Sequence, residues 1–121
     1  MQVIQIFHKV IYSHISYGQN FYTYEPKAHY DCIVSNPPFT NKKKIFDRAM
    51  SFGKRFMLLM TAQWLNDAAP VQLFLKHDIP MQIIHFDKRI QFKNCGNKIP
   101  FKSVFIGSGF KLNNDNLLVK L

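Results

Sequence analysis

Four consecutive residues have the types and the spacing to hold a planar amine for alkylation: Asn36, Pro37, Pro38 and Phe39. An amine joined to an aromatic ring is a weak nucleophile because its lone pair is delocalised. The side-chain oxygen of Asn36 and the backbone carbonyl of Pro37 could accept its two hydrogens and free that lone pair. Adjacent prolines would fix both acceptors in advance, and Phe39 could stack on a flat base. The same residues could equally form no more than a rigid turn after a strand.

The motif lies in a chain whose hydrophobic pattern alternates between strand and helix. A compact apolar run over residues 30–35 predicts a buried strand that the two prolines end. The helical spacing that follows predicts a helix capped by Thr40 or Asn41 and ended by Gly53. Further strands are expected over residues 10–15, 55–60, 81–86, 103–106 and 117–120, and a second helix over residues 67–76.

This order of elements predicts an α/β fold, with a parallel sheet and right-handed crossovers. The last strands follow one another without a helix between them, and we therefore expect them to be antiparallel. In such sheets the ligand crevice lies beyond the carboxyl ends of the strands, which is where Asn36 falls. The run Gly107-Ser108-Gly109 predicts a bulge or a turn.

The composition describes one basic domain. The chain has 121 residues, of which 47% are hydrophobic, and its net charge is +9. These values exclude a disordered chain and predict a single domain over residues 1–121. The positive charge favours a polyanionic partner, nucleic acid before a membrane surface, although many basic domains bind no anion.

Other classes of protein fit the sequence poorly. No apolar run reaches the roughly 18 residues of a membrane span, and the first ten residues lack the pattern of a signal peptide. Cys32 and Cys95 are too few for a disulfide framework, which predicts a reducing, cytoplasmic setting. The five histidines lack the spacing of metal ligands, and so we expect no metal site.

Three segments resemble phage- and prophage-type DNA adenine-N6 methyltransferases: residues 30–40, 44–49 and 86–90. Within the first of them, Asn36–Phe39 looks like the catalytic motif of class I S-adenosylmethionine-dependent amino-methyltransferases. The resemblance covers about residues 10–121. It implies a Rossmann-like sheet of seven strands, mostly parallel, with one antiparallel strand near the carboxyl end. It also implies methyl transfer from S-adenosylmethionine to the exocyclic amine of a flipped adenine.

Related enzymes methylate RNA adenine or a protein glutamine amide, and the motif alone does not separate these substrates. Glutamine methylation more often goes with tyrosine after the prolines, so Phe39 favours nucleic acid. The resemblance to DNA methyltransferases places DNA before RNA. In the family's scheme Asn36 and Pro37 bind the target amine, Pro38 stiffens the loop and Phe39 stacks on the base.

The resemblance also suggests positions for the cofactor. Ser13 and His14 stand at the end of the expected second strand, where the family usually offers an acidic residue to the ribose. Asn20 precedes Phe21 where the family often has an aspartate before an aromatic residue. Asn20 could accept from the cofactor's adenine amine and Phe21 could pack on that ring, or Asn20 could be a turn residue. Asn36 completes this expected cofactor set.

Two basic segments are candidates for phosphate contact. Lys42, Lys43 and Lys44 begin the helix after the motif, and the second segment contains Lys88, Arg89 and Lys93. A solvated helix face and a plain surface loop are the alternatives. Trp64 could wall the base pocket or belong to the core.

The family's first strand and its glycine-containing turn should lie before Val10, where only nine residues stand. We therefore expect an amino-terminally truncated methyltransferase domain. It could be a truncated product, a silent remnant that retains a nucleic-acid surface, or a chain that restores its sheet by dimerising. These alternatives differ on whether the chain transfers methyl groups. In each of them we expect the chain to self-associate through an exposed sheet edge.

Overall fold

The computed structural model of the protein describes residues 20–91 and 99–121. The expected strand over residues 10–15, with Ser13 and His14, lies outside the described residues, as do Lys93 and Cys95. By its internal contacts the chain divides into two compact units, Met1–Asp31 and Cys32–Leu121. The expected elements in the described part all belong to the second unit.

The second unit alternates strands and helices close to the expected positions. Its elements are β1 (Cys32–Ser35), α1 (Lys42–Ser51), β2 (Arg55–Thr61), a 3-10 helix (Ala62–Asn66), α2 (Ala69–Lys76), β3 (Gln82–Phe86), β4 (Ser103–Ser108) and β5 (Asn116–Val119). Pro70 lies in the first turn of α2, where its missing N–H would have no partner in any case. The prediction of an α/β fold is confirmed, and the 3-10 helix is the one described element that the pattern did not predict.

The strands of the second unit form one mixed sheet in the order β1-β2-β4-β3-β5. β1 and β2 are parallel and joined by α1, and β4 is antiparallel to both β2 and β3. β5 is parallel to β3, so that β4 alone runs against the other described strands. The expectation therefore holds for the direction of both β3/β4 and β4/β5, although β5 pairs with β3, to which it is parallel.

The side chain of Gln82 explains where β5 pairs. Gln82 is buried, its Nε2 donates to the carbonyl of Phe110 at 2.7 Å, and its Oε1 accepts from the Phe110 N–H at 3.0 Å. Its Nε2 also lies 3.2 Å from Asp115 Oδ1. These bonds hold the return segment after β4 across β3, so that β5 pairs with the free edge of β3.

The core covers both faces of the central strands. Phe46 of α1 packs against Phe56 of β2 and Trp64, with ring centroids 6.2 and 4.7 Å away, and Phe74 of α2 lies 6.2 Å from Phe56. A second cluster contains Met57, Leu59, Phe86 and Phe105. Neighbouring residues of β2 point to opposite faces, which is why its apolar run is continuous rather than alternating.

The glycines near the end of β4 have a different role from the one expected. Gly107 and Ser108 belong to β4 and pair with Met57 and Phe56, so the bulge or turn expected over residues 107–109 is wrong for these two positions. A Cβ on Gly107 would lie 1.8 Å from the backbone oxygen of Phe56, which only glycine avoids. Gly109, with φ +92, follows the strand in the left-handed region that favours glycine.

Candidate functional site

The Asn36–Phe39 motif follows β1 at its carboxyl end. Ser35 pairs with Leu58 as the last residue of β1, and the chain leaves the sheet at Asn36. Asn36 and Pro38 are exposed and Pro37 is half-buried. Within residues 20–91 and 99–121 the Asn36 side chain has no hydrogen-bond partner, so its amide oxygen is open to a ligand. The motif therefore presents an unused acceptor at the edge where ligands of α/β sheets bind.

Phe39 is held by a residue that sequence reasoning missed. Its ring meets the ring of Phe101 edge to face, with centroids 5.4 Å apart and an interplanar angle of 62°. Phe101 lies just before β4, whose first residue stands at the same edge of the sheet as the carboxyl ends of β1 and β2. No local signal in the sequence could have joined two phenylalanines that only the antiparallel β4 brings together.

Phe39 also lines a cleft of about 630 Å³, which we call the basic cleft. It lies among the start of α1, the 3-10 helix and α2. Its lining comprises Phe39, Asn41, Lys42, Lys43, Lys44, Asp47, Trp64, Asp67, Gln72, Leu73 and Lys76. Four of these residues are lysines and two are aspartates. Of the motif itself, only Phe39 is among them.

The helix that carries three of the lysines begins without a side-chain cap. Asn41 precedes α1 with φ 54 and ψ 36, and its side chain makes no capping hydrogen bond. The expected cap is therefore wrong in its chemistry, because a capping side chain works from an extended backbone rather than a left-handed one. The first turn of α1 contains no acidic residue, so the lysines add to the positive end of the helix dipole.

One carboxylate of the cleft is already neutralised. Asp47 Oδ1 lies 2.7 Å from His77 Nε2 and 3.1 Å from Lys76 Nζ, which ties α1 to the end of α2. A carboxylate only accepts hydrogen bonds, so His77 donates from Nε2. The hydrogen bond from His77, followed by the one from Lys76, holds the pKa of Asp47 below its usual value.

Trp64 belongs to the core and to the wall of the cleft at once. Its side chain is only 4% exposed and packs on Phe46, as the core interpretation expected. The remaining exposed surface lines the basic cleft beside Phe39. The hydroxyl of Thr61 accepts from the Gln63 N–H at 3.4 Å and helps to start the 3-10 helix that positions Trp64.

The second basic segment stands apart from the cleft but at the same edge of the sheet. Lys88 and Arg89 are exposed and follow β3, whose carboxyl end faces the same way as those of β1 and β2. The Asp87 N–H donates to the Val119 carbonyl at 3.1 Å, which fixes the start of this segment on β5. The motif, the basic cleft and these two cations are therefore brought to one edge.

In the first unit, Asn20 organises a turn. Its Oδ1 accepts from the Tyr22 N–H at 2.9 Å, and its carbonyl accepts from the N–H groups of Thr23 and Tyr24. Phe21 is half-buried and meets Tyr22 edge to face at 5.8 Å. The turn interpretation of Asn20 is what its contacts show, and one lone pair of its side-chain oxygen is already engaged.

Two further observations concern the described residues as a set. No group of three histidine, cysteine, aspartate or glutamate side chains within residues 20–91 and 99–121 could hold a metal ion. None of the helices in those ranges has the length and apolar character needed to cross a membrane.

Comparisons with known proteins leave the chain without an assigned family, since no family model and no curated protein matches it.

Proposed function

We propose that the chain is a Rossmann-like methyltransferase domain that methylates the exocyclic amine of adenine in DNA, with S-adenosylmethionine as the donor. The observation that supports this most is the position of Asn36. Its exposed amide follows β1 at the carboxyl edge of the sheet, next to a rigid proline pair and a half-buried phenylalanine. Among the described strands, β4 alone runs antiparallel to the others, which agrees with the sheet that the resemblance implies.

In this proposal the protein prepares the amine rather than removing a proton from it. Asn36 Oδ1 and the Pro37 carbonyl accept its two hydrogens, which favours a tetrahedral nitrogen with a free lone pair. Pro38 limits the motion of the loop, and Phe39 stacks on the base. S-adenosylmethionine would supply the activated methyl group: its sulfur–methyl bond would break as the nitrogen–methyl bond forms, and the demethylated thioether would leave. The alkylated nitrogen becomes acidic and releases its proton to water, so no general base is needed.

The residues available for the cofactor fit it in part. On the first unit, Asn20 has a second lone pair on its side-chain oxygen for the adenine amine, and Phe21 is half-buried. Ser13 and His14, the expected ribose contacts, lie outside the described residues. The cytoplasmic setting stays part of the proposal.

Nucleic acid is the favoured substrate because cations gather at the edge that carries the motif. Lys42, Lys43, Lys88 and Arg89 all stand there. A protein glutamine amide would gain nothing from these charges, whereas a phosphate backbone would. DNA and RNA adenine share the same amine, and we place DNA first on the resemblance.

A second candidate function is nucleic-acid binding without methyl transfer. It is favoured by the lining of the basic cleft, which contains lysines and Phe39 but neither Asn36 nor Pro37. The engagement of the Asn20 side chain in a turn favours it too.

Cofactor binding separates the two functions. Calorimetry with S-adenosylmethionine and with its demethylated product should show binding of at least one of them. If neither binds at millimolar concentration, the methyltransferase proposal fails for this chain and the binding function stands.

Where a cofactor binds, Asn36→Ala tests the catalytic assignment. We expect methyl transfer to an adenine-containing oligonucleotide to fall at least ~100-fold, as when a hydrogen-bonding group of a transition state is removed. Cofactor affinity should change little, and Asn113→Ala, an exposed amide in the return segment, should leave both unchanged. Equal loss of cofactor binding and methyl transfer would contradict the role given to Asn36.

A further inference from the structure

We infer that the basic cleft binds backbone phosphates of a single nucleic-acid strand through Lys42 and Lys43, beside the aromatic ring of Phe39. This assignment deepens the proposed function, and it depends on that function only in taking nucleic acid as the ligand. It assigns a chemical role to a cavity that the methyl-transfer motif does not occupy.

The charges of the cleft favour an anion. Lys76 and Asp47 form an ion pair with Nζ and Oδ1 3.1 Å apart, and His77 also binds that carboxylate. Within the described ranges Lys42 and Lys43 have no carboxylate partner, and Asp67 is the one acid of the lining that no described cation covers. The cleft therefore retains a positive excess that the described residues do not neutralise.

The placement of these two lysines is unfavourable for stability. They stand on the first turn of α1, where the helix dipole already adds positive charge and no acidic side chain offsets it. Lys42 is also half-buried, although a lysine on a solvated helix face would extend fully into water. An anion between them would relieve both effects, which is what a phosphate oxygen supplies.

A strand fits the cleft better than free phosphate does. The volume of about 630 Å³ far exceeds one phosphate group, and the lining combines cations with the aromatic residues Phe39 and Trp64. Alternation of cations with aromatic rings is how proteins hold single strands, since the bases stack while the backbone is neutralised. Phe39 belongs to both the motif and the cleft, so the bound phosphates would lie next to the base that the motif holds.

The test is the binding of a fluorescein-labelled single-stranded oligodeoxynucleotide, followed by anisotropy over a series of salt concentrations without a methyl donor. Lys42→Gln/Lys43→Gln should weaken binding about tenfold at low salt. It should also lower the slope of log K against log salt by about 1.4, the value for two lost single-strand phosphate contacts. Lys42→Arg/Lys43→Arg keeps both charges and should restore binding to within about twofold.

The matched control is Lys111→Gln/Lys120→Gln, which removes the same charge from two exposed lysines that do not line the cleft. It should weaken binding by less than about twofold. Equal losses for the two pairs would mean that only the overall charge matters and would overturn the assignment. So would unchanged binding after Lys42→Gln/Lys43→Gln, with circular dichroism confirming the fold of each variant.

Inorganic tripolyphosphate separates a strand site from a general phosphate site. It should displace the oligonucleotide only at a much higher phosphate concentration, because it offers no base to Phe39. Displacement at equal phosphate concentration would overturn the assignment to a strand. A chain that binds the strand through the cleft but transfers no methyl group would contradict the proposed function and leave this inference intact.

Discussion

Gly107 shows how one residue constrains the centre of the sheet. It lies in β4 opposite Met57 of β2 and Gln82 of β3, and an added Cβ would lie 1.8 Å from the Phe56 carbonyl oxygen. The obstruction is backbone of a buried strand, which cannot move without separating β2 from β4. Gly107→Ala should therefore lower the free energy of unfolding by about 3 kcal/mol, the upper range for overpacking.

Gly53→Ala is the comparison, because no described atom lies within 4 Å of a Cβ added to Gly53, which has φ +66 at the end of α1. Gly53→Ala should lower the free energy of unfolding by only about 1 kcal/mol, the cost of placing alanine in a left-handed backbone conformation. Urea unfolding of the two variants measures the difference. A smaller loss for Gly107→Ala than for Gly53→Ala would contradict the close approach between β4 and β2.

For single residues, the sequence predicted the backbone conformation of prolines and glycines but not the contacts between residues that are distant in the sequence. The proline pair ends β1 and Gly53 ends α1 because these residues restrict or free their own backbone. The contact of Phe39 with Phe101 depends on β4 lying beside β2, which no local pattern encodes. The uncapped start of α1 was missed because Asn41 adopts a left-handed backbone.

Between elements, the ion pair that ties α1 to α2 has a defined pH dependence. The pKa of Asp47 is lowered by His77 and then by Lys76, so the folded state favours the carboxylate more than the unfolded state does. Its stabilisation is therefore present above the unfolded value of 3.8 and is lost as the pH falls through the lower folded pKa. Because the Asp47 side chain is 44% exposed, solvent limits the effect to about 0.5 kcal/mol.

Asp47→Asn tests this link. Urea unfolding at pH 7 should show the variant to be less stable by about 0.5 kcal/mol, and the difference should shrink towards pH 3 as the wild-type carboxylate is protonated. Asp67→Asn is the control, since Asp67 makes no side-chain hydrogen bond among the described residues. A difference that grows on acidification would mean that the carboxylate is unfavourable in the folded state.

The positions of the helices and strands were the most predictable feature of the fold. Helices and strands of the second unit lie within a few residues of the sequence prediction because their apolar spacing is set by what each element buries. The pairing of β5 with β3 was not predictable, since it depends on the hydrogen bonds of Gln82 to Phe110 and Asp115. The 3-10 helix was missed because five residues are too few for a periodic signal.

On the scale of the second unit, the parallel course of β1, β2 and β3 gathers the functional residues. Each strand ends at the same edge, and each end is followed by a candidate segment: the motif, the basic cleft and Lys88 with Arg89. The sequence predicted this edge from the order of elements, but it could not join Lys76 and Trp64 to the lysines of α1. That cleft requires α2 to pack beside α1, which is a tertiary contact.

The same sheet ends in a strand that is open to self-association. Among the described residues β5 pairs only with β3, and its Leu118 side chain is 80% exposed. An edge strand with an exposed apolar residue can pair with a second copy of itself. We therefore expect sedimentation velocity to show a concentration-dependent dimer, and Leu118→Lys to shift it towards monomer because a lysine blocks edge pairing.

Leu75→Lys gives the control for that dimer, since Leu75 is 73% exposed but belongs to α2 rather than to β5. It should leave the dimer in place if the edge forms the interface. If Leu75→Lys abolished the dimer and Leu118→Lys did not, the interface would be formed by α2 rather than by the β5 edge. A wild-type chain that stays monomeric at high concentration would refute self-association. The short length of β5, four residues, would then be enough to prevent its edge from pairing.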